Sequence, residues 1–285
     1  MSTRFGTVTR TTRGEVLRMR KWPAVWVAVG AWVALALMFG YLFGYLSYRT
    51  GDSSFATEGR TKEALLTDLL PASIPDVLVQ GTPMFGGALM MVLGAIVAGN
   101  GYGWGTWKTL FTQGPSRTAA VVGSLVALTV FVVATVLATL VLYTGVSSLI
   151  AVTESRDLVW PAAGDLVRSV GGATLVLEMW ALAGFALGTI ARGPALSVGL
   201  GLVWALVIEN LLRGVGELLG PVEAVTKILP GTAAGSLVNA LLDGPTDTPG
   251  VVDVLSGQQA LLTVAAYAVV LPVVAVVLVR RRDVG

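Results

Sequence analysis

Four times along the chain a run of residues goes uncharged for longer than a bilayer is thick: between Lys21 and Arg49, Asp76 and Lys108, Arg117 and Glu154, and Asp253 and Arg280. About 20 mostly apolar residues suffice for a helix to cross the hydrocarbon. Backbone polar groups find no water there, which leaves helices and closed barrels as the spanning structures. The alternation of barrel strands is absent and the runs are continuous, so helices are expected. Six spans are predicted, at 23–48, 82–99, 118–147, 166–191, 195–212 and 259–279. The fourth and fifth carry charges, Glu178 and Glu209, and only Arg192-Gly193-Pro194 separates them. So short a connection suits an antiparallel helix pair. The first span is too long, and too poor in small residues at a cleavage position, for a removed signal peptide, and is read as a retained anchor.

Composition narrows the function classes. Charged residues make up 13% of the 285 and hydrophobic ones 54%, against about 25% charged in an average soluble domain. That leaves too little polar surface to cover a water-soluble globule. A soluble enzyme and a nucleic-acid-binding domain are both disfavoured. With no cysteine and no histidine, disulfides, thiolate or imidazole metal sites and histidine-based hydrolysis fall away. No catalytic, cofactor-binding or metal-binding residue is expected in this chain.

Charge placement gives the orientation. Six spans put both ends on one side. That side collects Arg4, Arg10, Arg13, Arg18, Arg20, Lys21, Lys108, Arg117, Arg192 and Arg280 to Arg282, against only Glu15 and Asp283. The basic side is cytoplasmic by the positive-inside rule, so a multi-pass cell-membrane protein with both termini inside is expected. Residues 1–22 then form a basic cytoplasmic segment with scattered apolar residues. It is read either as an amphipathic helix on the inner leaflet or as a solvated tail. The remaining 23–285 form one six-helix domain. The outer loops are acidic. The first, from Thr50 to Gly81, contains Asp52, Glu58, Glu63, Asp68 and Asp76, with a helical centre over 61–70. The last has two short apolar pieces, 222–229 and 232–242, split by Pro230-Gly231, which form an outer helical hairpin too short to span.

The loop from Asn100 to Arg117 is the most informative. Thr106 is placed to cap a short helix that Gly114-Pro115 stops. On that helix Trp107, Leu110 and Phe111 fall at i, i+3 and i+4 and form one apolar stripe. Such a stripe suits docking into a groove of a soluble partner, or resting among lipid headgroups. Inside the spans, ionisable groups point to function by default. Glu178 lies near mid-span. Glu209 lies near the outer boundary with Arg213 at i+4, where either a structural ion pair or a proton relay is available.

Other motifs are thin. There is no phosphate loop, and Lys62 in Gly59-Arg-Thr-Lys62 lacks the glycine spacing. Leu255-Ser-Gly-Gln-Gln259 is read as a chance likeness to an ATPase signature. Gly86-Gly87 and Gly171-Gly172 are read as close helix packing.

The segment Tyr102-Gly-Trp-Gly-Thr-Trp-Lys-Thr-Leu-Phe-Thr-Gln-Gly-Pro-Ser-Arg117 resembles the stretch after the second span in the type-2 ABC exporter permease family. That pattern has an acidic residue, a Gly-Thr pair, a Leu-Leu-like pair and a Pro-x-Arg ending. Gly105-Thr106, Leu110-Phe111 and Pro115-Ser116-Arg117 match, and Gly101 stands where Glu is usual. The run from Gly14-Glu15 through Arg18 to Lys21 is similar to the family's interface helix. The resemblance implies a coupling helix containing Trp104, Thr106, Trp107, Leu110, Phe111 and Arg117. It also implies an assembly of two permease subunits, here a homodimer, with two ATPase subunits that bind the ATP and Mg. Two readings stand beside it: a proton-coupled secondary transporter using Glu178 and Glu209, and a non-transporting membrane anchor or immunity protein.

Overall fold

The structure, a computed structural model, describes residues 2–51, 60–103, 105–112, 116–216, 218–242, 244 and 248–281, without the side chains of residues 2–6, 108, 110 and 111. Asp52, Glu58, Trp104, Gly114, Pro115, Arg282 and Asp283 lie outside it. Among the described residues every regular element is helical. Six of these helices are long and apolar enough to cross a membrane: Pro23–Thr50, Thr82–Gly103, Arg117–Thr153, Ala163–Ala191, Pro194–Gly216 and Gly257–Arg281. They are called the first to sixth spans below. The third is the longest because nothing after Ser147 breaks it before Glu154. Ser116 caps its start, its hydroxyl accepting from the Ala119 N–H at 3.3 Å. Arg192, left-handed at φ 55°, ends the fourth span, and Pro194 opens the fifth.

The second and fourth spans are the most buried and the fifth and sixth the least. Small residues bring the central pair together. A Cβ on Gly94 would overlap the Ala181 carbonyl oxygen, and one on Gly184 would overlap that of Met91. At Gly188 a Cβ would lie 2.8 Å from the Ala95 oxygen. Met91 thus meets Gly184 and Ala95 meets Gly188, so these two spans run parallel. Without a hydrophobic drive between helices in lipid, such close backbone approach supplies the attraction. The first and third spans are also parallel. The Trp32 indole N–H donates to Thr139 Oγ1 at 3.0 Å, and the Tyr143 hydroxyl donates to the Ala36 carbonyl at 3.1 Å. Gly86 faces Trp32 and Leu177, Gly87 the Trp180 ring and Gly172 Leu241, whereas a Cβ at Gly171 meets open space.

Among the described connecting segments, Ile74–Gln80 and Pro230–Asn239 bury most of their residues. Thr61 caps Lys62–Asp68, and after Pro71–Ser73 a helix over Ile74–Gln80 buries Ile74, Leu78 and Val79. Before the sixth span come Gly220–Thr226 and Pro230–Asn239. Both start earlier than the apolar pieces suggest, because Pro221 and Pro230 sit in their first turns, where a missing N–H is harmless. Ser256 and Gln259 form a reciprocal cap on the sixth span. The Ser256 N–H donates to Gln259 Oε1 at 3.3 Å, and the Gln259 N–H donates to Ser256 Oγ at 3.4 Å. The apparent ATPase signature is a capping box.

Candidate functional site

Thr106–Thr112 is a separate short helix between the second and third spans. Gly105, at φ +65°, makes the turn into it, a conformation that favours glycine. Thr106 is therefore the first helical residue and not the cap. The apolar stripe is corrected at its first member. Trp107 is only 4% exposed, and its indole N–H donates to the Ala98 carbonyl at 3.3 Å. A Cβ at Gly101 would run into the same indole. Trp107 fills the space that any side chain at position 101 would need, which accounts for glycine there. Trp107 thus holds the short helix against the end of the second span. Thr109 and Thr112 are exposed on it. Trp104 and the side chains of Leu110 and Phe111 lie outside the described residues. Arg117 begins the third span directly behind the Ser116 cap.

The N-terminal segment is helical over Ser2–Arg20 and docks on the start of the third span. A Cβ on Gly123 would come within 2.7 Å of Thr11. Glu15 is 8% exposed at this seam, with Arg18 Nη2 2.6 Å from Oε2, a Coulombic contact not aligned as a hydrogen bond. The Arg18 guanidinium also lies 5.2 Å over the Trp22 ring. Burial raises the Glu15 pKa, and the Arg18 charge opposes that rise.

Two carboxylates lie within the spans. Glu178 Oε1 accepts from Thr129 Oγ1 of the third span at 2.6 Å, while its Oε2 is buried without a hydrogen-bond partner among the described residues. Glu209 is fully buried and accepts from the Trp204 indole at 2.8 Å. That bond reaches back five residues, which a π-helical turn over Val203–Ile208 makes possible. Such turns recur at functional sites. Glu209 Oε2 occupies the space a Cβ on Gly231, at the start of Pro230–Asn239, would need, and it lacks an aligned hydrogen bond among the described residues. The expected ion pair with Arg213 does not form. Arg213 instead donates to Asn210 Oδ1 at 2.6 Å, because the π turn and Trp204 hold the Glu209 carboxylate toward Gly231.

A third cluster was not anticipated. Tyr45 and Tyr48 donate their hydroxyls to Glu154 at 3.0 and 2.9 Å, and Arg49 Nη1 adds an ion pair at 3.0 Å. The hydrogen bond from Tyr48, with those from Tyr45 and Arg49, holds the Glu154 carboxyl below its ordinary pKa. Lys62 lies 5.1 Å over the Tyr48 ring, and Arg156 pairs with Glu63 at 3.0 Å. The first span, the first long loop and the end of the third span are joined there. The i, i+3, i+4 spacing of Tyr45, Tyr48 and Arg49 was the available signal.

No protein-family model matches the chain, and no curated protein matches it either.

Proposed function

We propose that the chain is the transmembrane permease subunit of an ATP-driven exporter of the type-2 ABC class. It works with a second copy of itself and with separate ATPase subunits that bind ATP and Mg. The observation that carries this reading is the Thr106–Thr112 helix, tied by Trp107 to the second span and in contact with the third. A force applied to so anchored a helix passes directly into two spans. The docked Ser2–Arg20 helix and the helical pair before the sixth span support the same reading. Basic ends inside the cell and acidic connections outside remain part of it.

The docking face is assigned to exposed Thr109 and Thr112 rather than to Trp107. Thr109→Arg with Thr112→Arg is expected to release the co-purifying ATPase from native membranes while the chain stays inserted. A disrupted interface centre typically costs about 2 kcal/mol or more. Wild-type co-purification with the double variant would rule out the coupling role. Hydrolysis of ATP by the isolated chain would overturn the division of labour.

The oxygens of Glu178 and Glu209 that are buried without an aligned hydrogen bond among the described residues favour a second reading, proton-driven transport. It predicts transport that persists without any ATPase and collapses with the proton gradient, and Glu178→Gln and Glu209→Gln would abolish it.

A further inference from the structure

Beside the docked N-terminal helix runs a groove of roughly 620 Å³. Val8, Thr12 and Val16 recur every fourth residue along it, Arg13 and Arg20 stand two turns apart at its rim, and Val126 of the third span closes it. The two arginines are exposed, and neither forms an ion pair among the described residues. Glu15 is the one acidic residue before Asp52, and it faces away from the groove, into the seam with the third span, against Arg18.

We propose that this groove is a binding site for one anionic phospholipid, its phosphate between Arg13 and Arg20 and an acyl chain along Val16 and Val126. Two features select a lipid over a soluble partner. Val126 sits nine residues into the third span, about 13 Å along the helix, within an uncharged run, and it is 41% exposed. An exposed valine in the uncharged run of a spanning helix is a surface that acyl chains cover. The rim also offers the guanidiniums that basic pockets between membrane helices use for lipid headgroups. Trp26 holds the rim in place, its indole donating to the Arg20 carbonyl at 2.7 Å. The site needs only that the N-terminal helix lies at a membrane surface, and it stands apart from the transport reading.

The test is lipid titration of the full chain in mild detergent, read by native mass spectrometry with dioleoyl phosphatidylglycerol against dioleoyl phosphatidylcholine. The expected result is one tightly held phosphatidylglycerol per chain and no comparable phosphatidylcholine. Arg13→Ala with Arg20→Ala should weaken that binding about 30-fold, since each guanidinium near a headgroup contributes about fivefold. Arg280→Ala with Arg281→Ala removes the same charge elsewhere and should leave it unchanged. Val126→Trp, which fills the apolar end, should weaken binding with both arginines intact. Wild-type binding by the Arg13/Arg20 pair variant, or an equal loss in the Arg280/Arg281 control, overturns the site. Binding indifferent to Val126→Trp, or displaced equally by glycerophosphate, overturns the lipid as occupant. Loss of ATPase coupling in the earlier assay changes none of these outcomes.

Discussion

Gly94, like Gly184, sits at one of the two closest backbone approaches among the described glycines. Its absent side chain lets the Ala181 carbonyl against the second span. Alanine raises helix propensity by about 1 kcal/mol, but here its Cβ meets backbone, which cannot rotate aside. Gly94→Ala is therefore expected to lower stability by about 1–3 kcal/mol. Gly145→Ala has nothing within 4 Å of its Cβ and is expected to raise it slightly. Thermal retention of the monodisperse peak in detergent reads both, and a Gly94→Ala protein as robust as wild type would mean the second and fourth spans do not meet there. Glu209 shows where residue-level reading of the sequence stops. Ordinary helical spacing offers Arg213 at i+4 as its partner, whereas the π turn brings Trp204 at i−5. No rule built on 3.6 residues per turn foresees that bond.

Among the elements, the junction at Glu154 carries a pH dependence of known sign. Its carboxyl sits below its ordinary value, so the ionised form favours the closed junction. That contribution is fully present above the unfolded carboxylate value, about 4.3, and is lost as pH falls through the lower folded value. Spin labels at Leu46→Cys and Val152→Cys, in a chain with no other cysteine, are expected to move apart in acid, once the pH falls below the ordinary carboxylate range. With Glu154→Gln the acid step should vanish, and an unchanged step in that variant would assign the transition elsewhere. The spans themselves were legible, because length and apolarity alone decide them. The junction was not, since its two halves lie more than a hundred positions apart, although the face Tyr45-Tyr48-Arg49 was visible. For Thr106–Thr112 the helix was legible and its inward face was not. Which side turns in depends on the left-handed turn at Gly105 and on the space left at Gly101, and neither follows from periodicity.

For the whole molecule, the basic and acidic connections predict an orientation across the membrane. Lys108→Cys should react with an impermeant thiol reagent only after permeabilisation, and Glu63→Cys in intact cells; the reverse pattern would invert the bundle. The first and fifth spans leave Val27, Leu42, Leu200 and Val207 exposed, an apolar surface that lipid or a second copy can cover. Leu200→Cys is expected to cross-link to itself in native membranes if the fifth span lies at a homodimer seam, and its absence under oxidation would move the seam to another face. The third span sets the mechanical scale of such an assembly. Its 37 residues contain no proline, and at the helical rise they measure about 55 Å, well over the hydrocarbon thickness. One end contacts the short helix and the other holds Glu154. A single rod of that length works as a lever: a tilt of about 5° at the basic end sweeps the opposite end through roughly 5 Å, the size of one helical turn.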